Sequence, residues 1–124
     1  MKRVLVAEDN AVNRELIREL LELRGYEVSE ACDGQEALEM MEAALPDILL
    51  LDLGMPKLDG FGVIKRVREN PHLAGLPVLA VTAYAMRGDR EKVLEAGFDG
   101  YLSKPINAAA LTQALETLLR SSES

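Results

Sequence analysis

The chain has 124 residues, enough for one packed core and too few for two. Its 21 acids against 14 bases leave a formal charge of −7, which argues against direct nucleic-acid binding; the single cysteine, Cys32, excludes an internal disulfide, and no Cys/His cluster offers a zinc site. No apolar run approaches the ~20 residues that span a bilayer, and Met1-Lys2-Arg3 runs straight into a strand-like segment, so a soluble cytoplasmic protein without membrane contact is expected.

Apolar runs alternate five times with segments of helical period, the pattern of an α/β protein with a parallel sheet. Strand one is read at Arg3–Ala7. The first helix follows from Asn10 or Ala11 to Arg24, with Val12, Leu16, Leu20 and Leu23 on one face and Gly25 as its left-handed stop. Strand two is Tyr26–Ala31, with Cys32 a small, partly buried side chain beside it. Asp33 and Glu36 form a capping-box-like pair for a second helix carrying Leu38, Met41 and Leu45, and Pro46 ends that segment. Strand three is Asp47–Leu51. A loop, residues 54–60, leads to a third helix capped by Asp59, with Phe61, Ile64 and Val67 buried and Asn70-Pro71 as its end. Strand four is Val78–Val81, a fourth helix lies near Met86–Ala96 before Gly97, and strand five is about Gly100–Ser103. The last helix starts at Asn107 and carries Leu111, Leu115 and Leu118, with Ser121–Ser124 frayed.

Strands one, three and four are continuously apolar, as strands covered on both faces are; strand two alternates and strand five is short and mixed, which places these two at the edges. Right-handed crossovers then favour the order 2-1-3-4-5, a doubly wound sheet whose ligands bind outside the carboxyl ends where the order reverses, between strands one and three.

That edge collects the chemistry. Strand one ends in Glu8-Asp9, strand three in Asp52, strand four in Thr82 and strand five in Lys104-Pro105. Crowded carboxylates repel one another, and a divalent cation relieves them; oxygen-only ligands point to Mg²⁺ before Mn²⁺. Asp9 and Asp52 are the expected direct ligands, with Glu8 acting through water. A carboxylate is also a nucleophile toward phosphorus, and Asp52 is the central one. Thr82 and Lys104 would hold the phosphoryl oxygens as charge moves.

These residues resemble the receiver domains of two-component response regulators, over essentially the whole chain, 1–124. The match includes Glu8-Asp9, Asp52-Leu53-Gly54-Met55-Pro56, Asp59-Gly60, Thr82-Ala83, Tyr101 and Lys104-Pro105. The resemblance implies a flavodoxin-like (βα)5 fold. It implies Mg²⁺-dependent transfer of a phosphoryl group to Asp52 from a histidine kinase or a histidine phosphotransfer protein. It adds the Gly54 backbone carbonyl to the metal ligands, Thr82 and Tyr101 as switch residues, and a cis bond between Lys104 and Pro105. It implies a signalling protein that turns over no external substrate, a monomer or weak dimer, whose helix four, strand five and helix five surface meets a downstream protein. Glu8-Asp9-Asn10 with Asn13 is most similar to phosphorelay receivers, of hybrid-kinase or single-domain type. Two positions that tune phosphoryl lifetime hold Gly54 and Tyr84, neither of which orients an attacking water, so slow self-dephosphorylation is expected. Val12, Asn13 and Leu16 on the first helix are expected to help dock the histidine donor.

Three other readings compete. A flavodoxin would cradle phosphate on its first loop, but here that loop opens with two acids. An aspartate-nucleophile phosphohydrolase usually has a second acid two residues after the nucleophile, where this chain has Gly54. A degenerate receiver that only docks would have lost some of the five chemical positions, and all are filled.

Overall fold

The structure, a computed structural model, describes residues 2–55, 58–82, 89–104 and 106–123. Five strands and five helices alternate: β1 (Arg3–Ala7), α1 (Ala11–Glu22), β2 (Glu27–Ala31), α2 (Gly34–Ala43), β3 (Ile48–Asp52), α3 (Gly60–Glu69), β4 (Val78–Thr82), α4 (Asp89–Ala96), β5 (Gly100–Ser103) and α5 (Ala108–Glu123). The strands form one parallel sheet of order β2-β1-β3-β4-β5, as the apolar patterning requires. In-register pairs run Leu5↔Leu49, Leu50↔Leu79 and Ala80↔Tyr101 across its centre.

Strand alternation divides the core between two faces. Val4, Val6, Ile48, Leu50, Leu79 and Val81 pack with Ile17 and Leu21 of α1 and with Leu111, Leu115 and Leu119 of α5. Leu5, Ala7, Leu49, Leu51, Val78 and Ala80 pack with α2, α3 and α4 on the other face. Side-chain oxygens cap the helices as their sequence positions suggest: Asn10 Oδ1 accepts from the Asn13 N–H at 3.1 Å, Asp33 from Glu36 at 2.8 Å and Asp59 from Gly62 at 2.9 Å. Glu36 reaches back to the Cys32 N–H at 2.8 Å, one residue earlier than in the usual capping box. Gly25 and Gly97 take φ of 89° and 114° at helix ends, where a Cβ is disfavoured.

Several expectations need correction. On α1 the apolar stripe Val12, Leu16 and Leu23 lies at the surface, at 74%, 47% and 83% exposure, while Ile17 and Leu21 are the buried pair. The helix also closes at Glu22 because the Arg24 and Gly25 N–H groups bond three residues back, to Leu21 and Glu22. Leu45 lies outside α2 and is exposed; Ala37, Leu38 and Met41 make the buried face. Phe61 is partly exposed, its ring edge-on to Phe98 with centroids 6.1 Å apart, and Val63 joins Ile64 and Val67 inside. Cys32 is exposed, not partly buried. Strand boundaries shift by one residue: Tyr26 closes the α1 terminus, Asp47 Oδ2 accepts the Arg3 N–H at 2.7 Å, and both Asp52 and Thr82 lie inside their strands. On α5, Leu119 is the third buried leucine and Leu118 only packs against that cluster; the helix continues through Glu123 rather than fraying at Ser121. The expected start of the fourth helix at Met86 lies outside the described residues, as do Tyr84 and Pro105.

The amino edge of the sheet is closed by Arg68, near the end of α3. Its guanidinium donates to the carbonyls of Ala74 (2.8 Å), Leu76 (2.7 Å) and Gly97 (2.9 and 2.6 Å) and to Asp99 Oδ2 (2.8 Å). The same Asp99 oxygen accepts the Val78 N–H at 2.8 Å, so one side chain ties α3, the loop before β4 and the loop before β5.

Candidate functional site

The opposite, carboxyl edge carries the acids. β1 delivers Glu8, whose N–H extends the ladder to Ala31 O at 3.1 Å, and this leaves its side chain buried at 1% exposure beneath an exposed Asp9. Asp52 closes β3 at 7% exposure, and Thr82 closes β4 at 3%. Lys104 follows β5 and is seated by its own N–H, which donates to the Thr82 carbonyl at 2.8 Å.

Lys104 Nζ lies 2.9 Å from Glu8 Oε1, 3.1 Å from Glu8 Oε2 and 3.1 Å from Asp52 Oδ2. One ammonium therefore joins residues 96 and 52 positions away in the chain. The other Asp52 oxygen, Oδ1, accepts the Gly54 N–H at 3.0 Å, so both carboxylate oxygens are held. Asn13 Nδ2 donates to Glu8 Oε1 at 3.2 Å, and Arg14 Nη1 donates to the Glu8 carbonyl at 2.9 Å. Asp9 completes the group: Glu8, Asp9 and Asp52 each offer a carboxylate oxygen within 4.8 Å of the others.

Backbone packing explains why Asp52 stands where it does. A Cβ on Gly60, the first residue of α3, would fall 2.8 Å from Leu53 Cα and 3.1 Å from the Asp52 carbonyl. Only glycine lets the helix start pack this closely on the chain leaving β3, and the Gly60 N–H bonds Leu53 O at 3.1 Å. At Gly54 a Cβ would meet Asp52 Oδ1 at an ordinary 3.9 Å, so glycine there is not a steric requirement.

The electrostatics follow from two buried acids sharing one base. Burial, with the adjacent Asp52 carboxylate behind it, pushes Glu8 up to about 7 against the opposing pull of Lys104. At Asp52 burial also works upward, but hydrogen bonds from Glu8, the Gly54 N–H and Lys104 outweigh it and hold the carboxyl below its usual range. Burial would lower Lys104, yet its bonds to Glu8 and Asp52 raise it. Near neutrality Asp52 is ionised, Glu8 is close to its midpoint, and Lys104 bonds both. Three oxygen donors with no nitrogen or sulfur among them, arranged round a point that already attracts an ammonium, fit a hard divalent cation.

Of the residues singled out from sequence, Glu8, Asp52 and Lys104 meet directly, Asp9 has a carboxylate oxygen within 4.8 Å of those of Glu8 and Asp52, Thr82 adjoins them through its carbonyl, and Gly54 meets Asp52 through its N–H. Tyr101 lies one strand away from Ala80, half-buried against the core of that face. The contacts of Asn13 and Arg14 to Glu8 were not foreseen. Their signal was available: five and six residues after Glu8, they fall on the first turns of the helix that leaves the acid turn.

Comparison with known proteins agrees with this geometry. Residues 4–116 match the response regulator receiver domain. The polar-differentiation response regulator DivK of Brucella anthropi is 37% identical over 118 residues, 95% of this chain and 96% of that protein. A response regulator from Chloroflexus aurantiacus superposes with a TM-score of 0.92 at 34% identity, covering 96% of this chain and 98% of that one. The receiver domain of a sensor histidine kinase from Pseudomonas aeruginosa, solved with magnesium coordinated in its active-site cleft, gives 0.88 at 36% identity over 95% and 97% of the two chains. The chain belongs to the response regulator receiver family, whose members are phosphoacceptors in two-component signalling.

Proposed function

We propose that residues 1–124 act as one receiver unit in which Asp52 takes a phosphoryl group from the phosphohistidine of a histidine kinase or a histidine phosphotransfer protein. The observation that carries this is the Lys104 ammonium bonded to both Glu8 and Asp52, with Asp9 alongside. An Asp52 oxygen attacks phosphorus, the P–N bond to the donor imidazole breaks, and the imidazole leaves with a proton; the product is an acyl phosphate. Lys104 and the Thr82 hydroxyl hold the transferring oxygens. Asp9, Asp52 and the Gly54 carbonyl would hold Mg²⁺, or Mn²⁺, directly, and Glu8 through water. When bound there, the ion would supply positive charge beside the oxygens that gather charge. That the Pseudomonas relative was solved with magnesium coordinated in its own active-site cleft supports this reading.

The exposed Val12 and Leu16 flank a groove of about 410 Å³ lined by Asn13, Leu16, Ile17, Lys104 and Ile106, a surface suited to the donor's helices. Movement of Thr82 toward the phosphoryl group and inward rotation of Tyr101 would then alter the α4-β5-α5 face, where Tyr101, Leu102, Gln113 and Leu118 line a second groove of about 410 Å³. That face meets a protein target and not nucleic acid, in a cytoplasmic monomer or weak dimer; no helix among the described residues is long and apolar enough to cross a membrane. With Gly54 and Tyr84 at the lifetime positions, the phosphorylated form persists for many minutes or longer, and loss of the label within seconds would contradict this. The decisive test is incubation with Mg²⁺ and acetyl phosphate or phosphoramidate. Intact mass should rise by one phosphoryl group in the wild type and stay constant in Asp52→Ala; an unmodified wild type would end the proposal.

A further inference from the structure

Arg14 is turned inward, although its place on an exposed stretch of α1 suggests a surface charge. Its side chain is 17% exposed, Nη1 donates to the Glu8 carbonyl at 2.9 Å, and Nε lies 3.6 Å from Glu30 Oε1 on β2. Glu30 is braced a second time by Arg18 at 3.1 Å, and Arg18 also pairs with Glu22 at 3.6 Å. Glu8 is thereby held at every polar group: its N–H by Ala31, its carboxylate by Lys104 and Asn13, and its carbonyl by Arg14.

The carbonyl contact is the informative one. The Glu8 C=O belongs to the peptide plane that joins Glu8 to Asp9. The orientation of that plane fixes the direction of the Asp9 N–Cα bond and leaves φ as the one backbone angle that sets where the Cα–Cβ bond points. Asp9 itself is exposed.

We infer that Arg14 is a positioning residue for the metal seat: anchored to the sheet through Glu30, its guanidinium holds the Glu8–Asp9 peptide so that the Asp9 carboxylate meets that of Asp52. The inference rests on the reading of these acids as the Mg²⁺ site. A guanidinium suits the task because its fork bonds a carbonyl and a carboxylate at once, which an ammonium cannot do with the same geometry.

The test uses the full chain as wild type, Arg14→Gln, Arg14→Lys, Glu30→Gln and Arg18→Gln. Mg²⁺ affinity is measured by titration calorimetry, and the amide resonances of Glu8, Asp9 and Asn10 by ¹H–¹⁵N correlation spectra. Loss of an outer partner that orients a ligand weakens metal binding by about tenfold, and that is the expected rise in Kd for Arg14→Gln. The Asp9 amide should shift with it. Arg14→Lys should recover part of the affinity, and Glu30→Gln should weaken binding in the same direction by less. Arg18→Gln, which touches no atom of the acid turn, should leave the affinity as in the wild type. An Arg14→Gln protein that binds Mg²⁺ like the wild type overturns the inference. So does an Arg18→Gln protein that loses as much, since the bracing of α1 on β2 would then be the whole effect. If Arg14→Gln does not fold, Arg14→Lys and Glu30→Gln decide the matter by the same criterion. A wild type that binds no Mg²⁺ removes the underlying reading of the site; a wild type that binds while the Arg14 variants match it removes only the role of Arg14.

Discussion

The two edges of the sheet use the same materials and settle them in opposite ways. At the amino edge one guanidinium meets one carboxylate and three carbonyls, each a good acceptor, and Arg68 neutralises Asp99. At the carboxyl edge one ammonium is divided between two buried carboxylates with a third within 4.8 Å. The first arrangement is complete. The second sets three carboxylates against one ammonium, an arrangement that a further cation would relieve. One edge serves stability and the other reserves its electrostatic energy for a ligand.

The sharpest way to break the comparison is to exchange the consequences of substitution at the two edges. Asp52→Ala should abolish phosphorylation completely while the protein remains folded by circular dichroism; retained phosphorylation would place the acceptor elsewhere. Lys104→Ala should slow phosphorylation by acetyl phosphate about a hundredfold at saturating Mg²⁺, the effect of removing one preorganised charge from a transition state. Arg68→Ala should show the converse: phosphorylation at the wild-type rate, but a stability loss of about 1–2 kcal/mol in urea titration, because the part-buried Leu76 and Gly97 carbonyls lose their donor together.

A comparable effect sharpens the contrast through pH. Glu8 ionises at about 7 in the folded protein against an ordinary 4.5, so between these values the folded chain holds a proton that the unfolded chain has lost. Its contribution to stability is complete below about 4.5 and disappears as pH rises to about 7. Asp52 behaves oppositely: its carboxyl is lowered, so its contribution is present above its ordinary 3.8 and is lost as pH falls below that. Metal-free protein should therefore lose about 1–3 kcal/mol of stability from pH 4.5 to 7, less than the full shift implies because the open mouth of the site screens it. Glu8→Gln should flatten that slope in urea titrations at a series of pH values. The smallest effect belongs to the exposed α1 stripe. Leu16→Ser should change stability by no more than about 0.5 kcal/mol yet slow transfer from a phosphorylated histidine donor relative to transfer from acetyl phosphate, which needs no docking.

Much of this was legible in the residues. Each of β1, β3 and β4 is an apolar run that stops at a functional group, and a parallel sheet must bring such stops to one edge. The alternation of β2 and the brevity of β5 identified the edge strands, from which the order followed. Asp33 and Asp59 announced their helices because a capping oxygen acts on backbone only two or three residues away, whereas Asn10 was read only as a possible first residue of its helix and proves to be the cap. The inward face of α1 was not legible. Val12, Leu16, Ile17, Leu20, Leu21 and Leu23 spread over about half of the helix circumference, wider than one buried stripe, so periodicity leaves open which part of that arc faces the core. Phe61 and Leu45 misled for a related reason: apolar character permits burial, but a neighbouring element must be present to provide it.

The order of residues alone thus determined the strands, the caps and the collection of Glu8, Asp9, Asp52, Thr82 and Lys104 at one edge, because these depend on local periodicity and on the topology of parallel crossovers. Only the folded arrangement decided that Lys104 bridges Glu8 and Asp52, that Arg14 turns toward the acid turn, and that Arg68 closes the far edge. The Lys104 and Arg68 contacts join residues whose separation in the chain carries no signal, and the geometry of all three is set by how tightly helices and sheet pack.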